Sequence, residues 1–129
     1  ELFKDVLYIV YMKILVEVSK GELIDKITIL EIKSEKITDL GKLKNVHREL
    51  EMITKLEFTT PIKEKLMDIN RQLWEVEDDL RVLEKLGKFD DVFIQKARSV
   101  YKLNDERSRL KKCINIDEGS ELIEEKSYN

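Results

Sequence analysis

The chain is poor in residues that break helices and in residues that build metal or disulfide sites. Its 129 residues include one proline and four glycines, too few turn formers for a fold of many short strands. A single cysteine, Cys113, allows no internal disulfide and fits a reducing, cytoplasmic setting. It falls on the polar side of its helix with no histidine near it, as a bystander thiol would. One cysteine and one histidine, His47, cannot supply the four ligands of a zinc site within one chain. No metal and no cofactor are therefore expected. Long apolar runs are also missing. The longest, Val6–Val18 (VLYIVYMKILVEV), is interrupted by Lys13 and Glu17; it is too short for a membrane span and lacks the basic start of a signal peptide. Nor is there a block of one charge: 24 basic and 27 acidic side chains are interspersed, for a net charge of −3. That balance disfavours broad nucleic-acid binding. No dinucleotide fingerprint, phosphate-cradling loop or nucleophile elbow is present.

What remains is helix. Charged residues make up 40% of the chain, with many Leu, Ile, Glu and Lys, a long-helix composition. The organising stretch is Thr60–Gly87, TPIKEKLMDINRQLWEVEDDLRVLEKLG. Thr60 is a candidate cap, Pro61 suits the first helical turn, and Gly87 suits a left-handed end. Ile62, Leu66, Ile69, Leu73, Val76, Leu80 and Leu83 recur in an unbroken heptad seam. The rod would be about 39 Å long at 1.5 Å per residue, and it cannot bury its seam alone.

Three further helices are predicted around it. An earlier one opens at Ser19, with Glu22 at capping-box spacing. One face carries Leu23, Ile27, Leu30, Ser34 and Ile37; the opposite face carries Ile29 and Ile32 beside Asp25 and Lys36. A helix apolar on two sides is covered on two sides. It is either central in the bundle or shared with a second subunit, and the Ile29–Ile32 face is the expected surface of a two-fold homodimer. Asp39 is a candidate cap for the next helix, with its drifting stripe of Leu40, Leu43, Val46, Leu50, Ile53 and Leu56; His47 on its flank reads as a bystander. Asp90 or Asp91 caps the last helix. The fold class is all-α: an antiparallel bundle of four main helices, about 20–37, 40–57, 61–86 and 91–114, in a single domain.

Both ends differ in character. Lys13–Val18 alternates and is β-branched, which suits a short extended arm or strand. Met12, followed by KILVEVSKGEL, resembles a natural start, with residues 1–11 as an upstream extension or alternatively a genuine first element. Residues 116–129 (IDEGSELIEEKSYN) are acidic and polar, a short helix from Ser120 or a frayed tail.

The last long helix holds the main anomaly. Asn104 and Arg107 project on the face of Phe93, Ala97, Val100, Leu110 and Ile114, where a plain core would carry Leu. Buried polar groups cost several kcal/mol unless they find partners. Glu77 and Glu84 are candidate partners for a register-fixing polar pair. Alternatively Tyr101, Asn104 and Arg107 line a ligand site, or the face opens to solvent or a second subunit. Arg98, Tyr101, Asn104, Asp105 and Arg107 form an R-x-x-Y-x-x-N-D-x-R pattern suited to a phosphate or carboxylate. Arg98 and Asp105 fall on one side and Asn104 and Arg107 on the other, so one half at most is expected in a single pocket.

Two further patterns invite comparison. Glu75 and Asp78, in the cluster Glu75, Glu77, Asp78 and Asp79, have the E-x-x-D spacing of all-α Mg²⁺-dependent nucleotide pyrophosphatases, but the second carboxylate cluster of those enzymes is missing. The segment GELIDKITILEIKSEKI is similar to the first helix of the all-helical chorismate mutases. That likeness would make Lys36, Arg48 and Glu49 site residues; Gly21 and Glu22 stand where the arginine of that motif belongs, and the Lys36–Arg48 spacing is too short.

A wider resemblance covers Met12 to Tyr128. The segments VSKGELIDKITILEIKSEKITD, LWEVEDDLR, FIQKARSVYKLNDERSRLKKCIN and EEKSY resemble a small bacterial all-helical protein family of unknown function. The resemblance implies a soluble helical protein and brings no activity, cofactor or site. The functional expectation is a non-enzymatic interaction or accessory module. The alternative is a binder of a phosphate- or carboxylate-bearing small molecule, enzymatic or not, built on the last helix.

Overall fold

A computed structural model describes residues 14–56 and 58–127. The expectations for Met12, for residues 1–11 and for Tyr128 lie outside the described residues. Four helices pack against one another, and among the described residues there is no strand. They are α1 (Lys20–Lys36), α2 (Leu40–Thr54), α3 (Lys63–Leu86) and α4 (Asp91–Asp117). The arm expected before α1 has no regular structure over residues 14–18, which are all exposed.

Local chemistry sets the helix ends. Ser19 Oγ accepts from the Glu22 amide at 3.1 Å, and Asp39 Oδ1 from the Lys42 amide at 2.8 Å. Asp90 Oδ1 accepts from the amides of Val92 and Phe93. Each satisfies a donor that the first turn leaves unpaired. Gly87 ends α3 at φ 64°, the left-handed cap expected of it. The start of α3 is the exception. Pro61 and Ile62 form a turn and regular helix begins at Lys63, with Thr60 Oγ1 accepting weakly from the Ile62 amide at 3.4 Å.

α1 is the central element and contacts α2, α3 and α4, whereas α2 leans on α1 alone. Ile24 and Ile27 join Leu66 of α3 and Leu110 and Ile114 of α4 in the apolar core, with Leu50 and Ile53 of α2 packed against it. This explains the two apolar sides of α1 within one chain. It also corrects the proposed dimer face: Ile32 is only 1% exposed, so its side chain is core and not a free docking surface. Ile29 remains half-buried.

The heptad seam of α3 is covered unequally. Leu66 and Leu73 are buried, while Val76, Leu80 and Leu83 are half-buried. From residue 74 to residue 109 nothing is fully buried. α3 and α4 thus continue past α1 as a two-helix hairpin, closed by an edge-on contact of Phe89 and Phe93 with ring centres 5.1 Å apart. The C-terminal segment does not form the helix expected from Ser120. Residues 120–127 run without regular structure, tied to α1 where the Lys20 amide donates to Ser120 Oγ at 3.0 Å.

Candidate functional site

The polar residues of α4 converge on α1, not on the flank of α3. Arg107 is bound in bidentate fashion to Asp25: Nε donates to Oδ1 at 2.9 Å and Nη2 to Oδ2 at 2.6 Å. Asp25 is 1% exposed. Asn70 Nδ2 donates to Asp25 Oδ1 at 2.9 Å and to Thr28 Oγ1 at 2.8 Å, and Thr28 Oγ1 donates to the Asp25 carbonyl at 2.7 Å. Three helices therefore meet at one buried carboxylate. The Asp25 carboxylate also holds the Arg107 pKa above its ordinary value. The expected partners were Glu77 and Glu84; both are exposed, and Asp25 takes that role.

One turn further along, α1 and α4 approach closely enough to demand a glycine. The Gly21 amide donates to Asn115 Oδ1 at 2.6 Å. A Cβ at Gly21 would press into the Lys111 carbonyl and stand 2.9 Å from Asn115 Oδ1. The Lys111 ammonium, on a side chain 12% exposed, lies 2.7 Å from Glu22 Oε2 and 2.9 Å from Glu124 Oε2. Burial works against its charge; the two carboxylates outweigh that and raise its pKa. Lys126 Nζ lies 2.5 Å from Glu124 Oε1. Clasped by Lys126 and Lys111, the Glu124 carboxyl is held down to a pKa of about 2.

These groups border a groove of about 790 Å³ between α1, α4 and the C-terminal segment. Tyr101, Asn104 and Arg107 all line it, together with Glu22, Lys111 and Glu124. The size falls within the range of small-molecule clefts. Asp105 lines the groove as well, so the expected split of the arginine-tyrosine-asparagine pattern into two separate sides does not hold. Arg98 stays outside and reaches Tyr101 Oη at 3.5 Å. Asn104 is half-buried on the groove wall. Arg107 spends two of its five N–H donors on Asp25, which leaves three for another acceptor.

The other candidates stay apart. Glu75, Glu77, Asp78 and Asp79 are exposed, with Asp79 paired to Lys96 at 2.8 Å. Among the described residues no group of three or more His, Cys, Asp or Glu is placed to hold a metal ion. Lys36 and Arg48 are exposed, and Glu49 pairs with Lys26 at 2.6 Å. His47 is exposed, and Cys113 is a half-buried free thiol 3.9 Å from Arg109 Nη1. No described helix is long and apolar enough to cross a membrane. Asp25, Lys111 and Glu124 were not legible as site residues. Asp25 did carry a signal, a carboxylate beside isoleucines on a second apolar face.

Fold and groove together define a small all-helical protein with a charge-lined cleft over a buried arginine–aspartate pair. Residues 12–129 match the model of a family of unknown function (DUF6165), and the chain belongs to that family. No curated protein and no solved structure gives a match.

Proposed function

We propose that this protein is a single-domain binding module that takes a small phosphate- or carboxylate-bearing molecule in the groove between α1, α4 and the C-terminal segment. One observation carries the reading: Tyr101, Asn104 and Arg107, singled out for their chemistry, line one cleft beside Lys111 and Lys126. Arg107 keeps a planar fork of free donors, Asn104 adds an amide, and Tyr101 adds an exposed ring for packing. Asp25 supports the arginine from behind and fixes its rotamer, which lowers the entropy cost of binding. A cytoplasmic setting belongs to the same reading, supported by the unpaired Cys113. The reading assigns binding and no covalent step.

A thermal-shift screen of organic phosphates, nucleotide-sugars and small dicarboxylates tests it. A ligand at about 100 times its dissociation constant adds about 2.7 kcal/mol, or roughly 9 °C in Tm for a domain this size. The shift should vanish in Asn104→Leu, which leaves the Asp25–Arg107 pair intact. A flat screen, or a shift unchanged in that variant, removes the groove from consideration.

A second reading, an interaction module that pairs with itself, is favoured by the far half of the α3–α4 hairpin. Val82, Leu86, Phe89, Val92 and Ile94 are each at least half exposed there, beside a seam that one partner helix only half covers. Two hairpins related by a two-fold axis would complete a four-helix bundle. Sedimentation of the wild type and of Phe89→Glu tests this: a dimer that becomes a helical monomer is the expected result, and a monomeric wild type refutes it.

A further inference from the structure

The strongest unexplained arrangement lies at the mouth of the groove, where an acidic side chain of the tail sits on two lysines. Glu124 offers Oε2 to Lys111 at 2.9 Å and Oε1 to Lys126 at 2.5 Å. A carboxylate bridging two ammonium groups reproduces what a bound phosphate or carboxylate would do there. Two of its neighbours set the site apart from ordinary surface pairs. Lys111 is nearly buried, on a side chain 12% exposed, and Arg107 borders the same groove. Lys111 also keeps Glu22 at 2.7 Å, so losing Glu124 would not leave its charge unpaired.

The segment that brings Glu124 to the groove has no regular structure and few ties beyond its root. Residues 120–127 make no helix or strand. Their described polar ties are the Ser120 amide to the Asn115 carbonyl at 2.8 Å, the Lys20 amide to Ser120 Oγ, Lys111 to Glu124, Lys112 to Glu125 at 3.1 Å, and the local pair of Lys126 with Glu124. Two of these, Lys112 with Glu125 and Lys126 with Glu124, are exposed ion pairs, which contribute little to stability. The last turn of α4 and the Ser120 tie hold the root of the segment, leaving Leu122–Lys126 as a strap.

We infer that Lys111, beside Arg107, forms the anion subsite of the groove and that Glu124 fills it as an internal stand-in, which the phosphate or carboxylate of a ligand displaces, Lys126 leaving with the strap that carries it. The inference rests on the groove being a binding site. It adds which cations take the anionic group and what must leave. Displacement frees the strap, so occupancy of the groove is coupled to the order of the C-terminal segment. A ligand competing with an internal occupant binds more weakly than the bare subsite would allow, by the fraction of time the subsite is open.

The test uses the full chain with inorganic phosphate as probe and succinate as the carboxylate arm. Binding is followed by calorimetry and the strap by amide hydrogen exchange. Three proteins are compared: wild type, Glu124→Gln and Glu125→Gln. The last removes an equal charge nearby, from a side chain that pairs with Lys112. Expected are binding of either probe about five- to tenfold tighter in Glu124→Gln than in wild type, little change in Glu125→Gln, and faster exchange over residues 121–126 of the wild type once the probe is bound. Equal tightening in both variants would reduce the effect to general electrostatics and overturn the inference. So would equal affinity in wild type and Glu124→Gln with the strap unmoved, while leaving the groove as a binding site. Failure of both probes in all three proteins, alongside a flat screen of organic anions, overturns the groove reading and the inference with it.

Discussion

Replacing Arg107 by leucine puts the central polar layer under direct test. In the wild type the Asp25 carboxylate is 1% exposed and accepts two bonds from Arg107 and one from Asn70. Leucine removes the cation and two of these bonds while the carboxylate stays buried. Breaking such a pair from one side costs about 3–5 kcal/mol. The Arg107 side chain is 29% exposed, so water can enter the space it leaves and the lower end, about 3 kcal/mol, is expected. Set against a typical stability of about 5–15 kcal/mol, that is a large loss, roughly 10 °C in Tm. Urea unfolding followed by circular dichroism would read it as a lower midpoint at unchanged slope. The double variant Asp25→Leu/Arg107→Leu removes both charges and should recover most of the loss, because an apolar pair of similar volume is often no worse than a buried ion pair. An Arg107→Leu protein as stable as wild type would refute the reasoning and show that Asp25 does not need its partner.

Other outcomes follow from neighbouring contacts. Gly21→Ala should destabilise by about 1–3 kcal/mol in the same assay, through overpacking against the Lys111 carbonyl, although alanine favours an exposed helix. Stability equal to or above wild type would mean α1 and α4 separate easily. Ile32→Glu should abolish cooperative unfolding rather than split a dimer, since Ile32 is 1% exposed in the single chain; a well-folded variant by circular dichroism would return Ile32 to the surface. The pH dependence of the strap has a definite sign. Lys126 and Lys111 depress the Glu124 pKa to about 2 from 4.5, so its contribution is complete above pH 4.5 and is lost as pH falls through about 2. A carbon-detected NMR titration should place the Glu124 midpoint near the lower value, and a midpoint at 4.5 would show the clasp does not persist in solution.

The helix ends are signalled locally in the chain. Ser19, Asp39, Asp90 and Gly87 marked their helix ends correctly because capping is a bond between neighbours in sequence. Thr60 marked its end two residues early, where Pro61 and Ile62 turn before the helix begins. Asn104 and Arg107 stood out as polar residues on an apolar face, and both line the groove. Their partner was misassigned because the candidates were sought on α3, whereas Asp25 is 82 residues away from Arg107 on α1.

By itself the sequence determined the four helices, their approximate ends, the all-α class and the position of the polar anomaly. These depend on periodicity and on contacts a few residues apart, which any chain carries in its own order. Tertiary structure alone decided that α1 is central, that Ile32 is core, that Arg107 rests on Asp25 and that Glu124 bridges Lys111 and Lys126. Each depends on which helix faces which, and that choice is made by the summed burial of all four helices together. A residue's own neighbourhood in the chain shows that it needs a partner; only the packed bundle brings one within 3 Å.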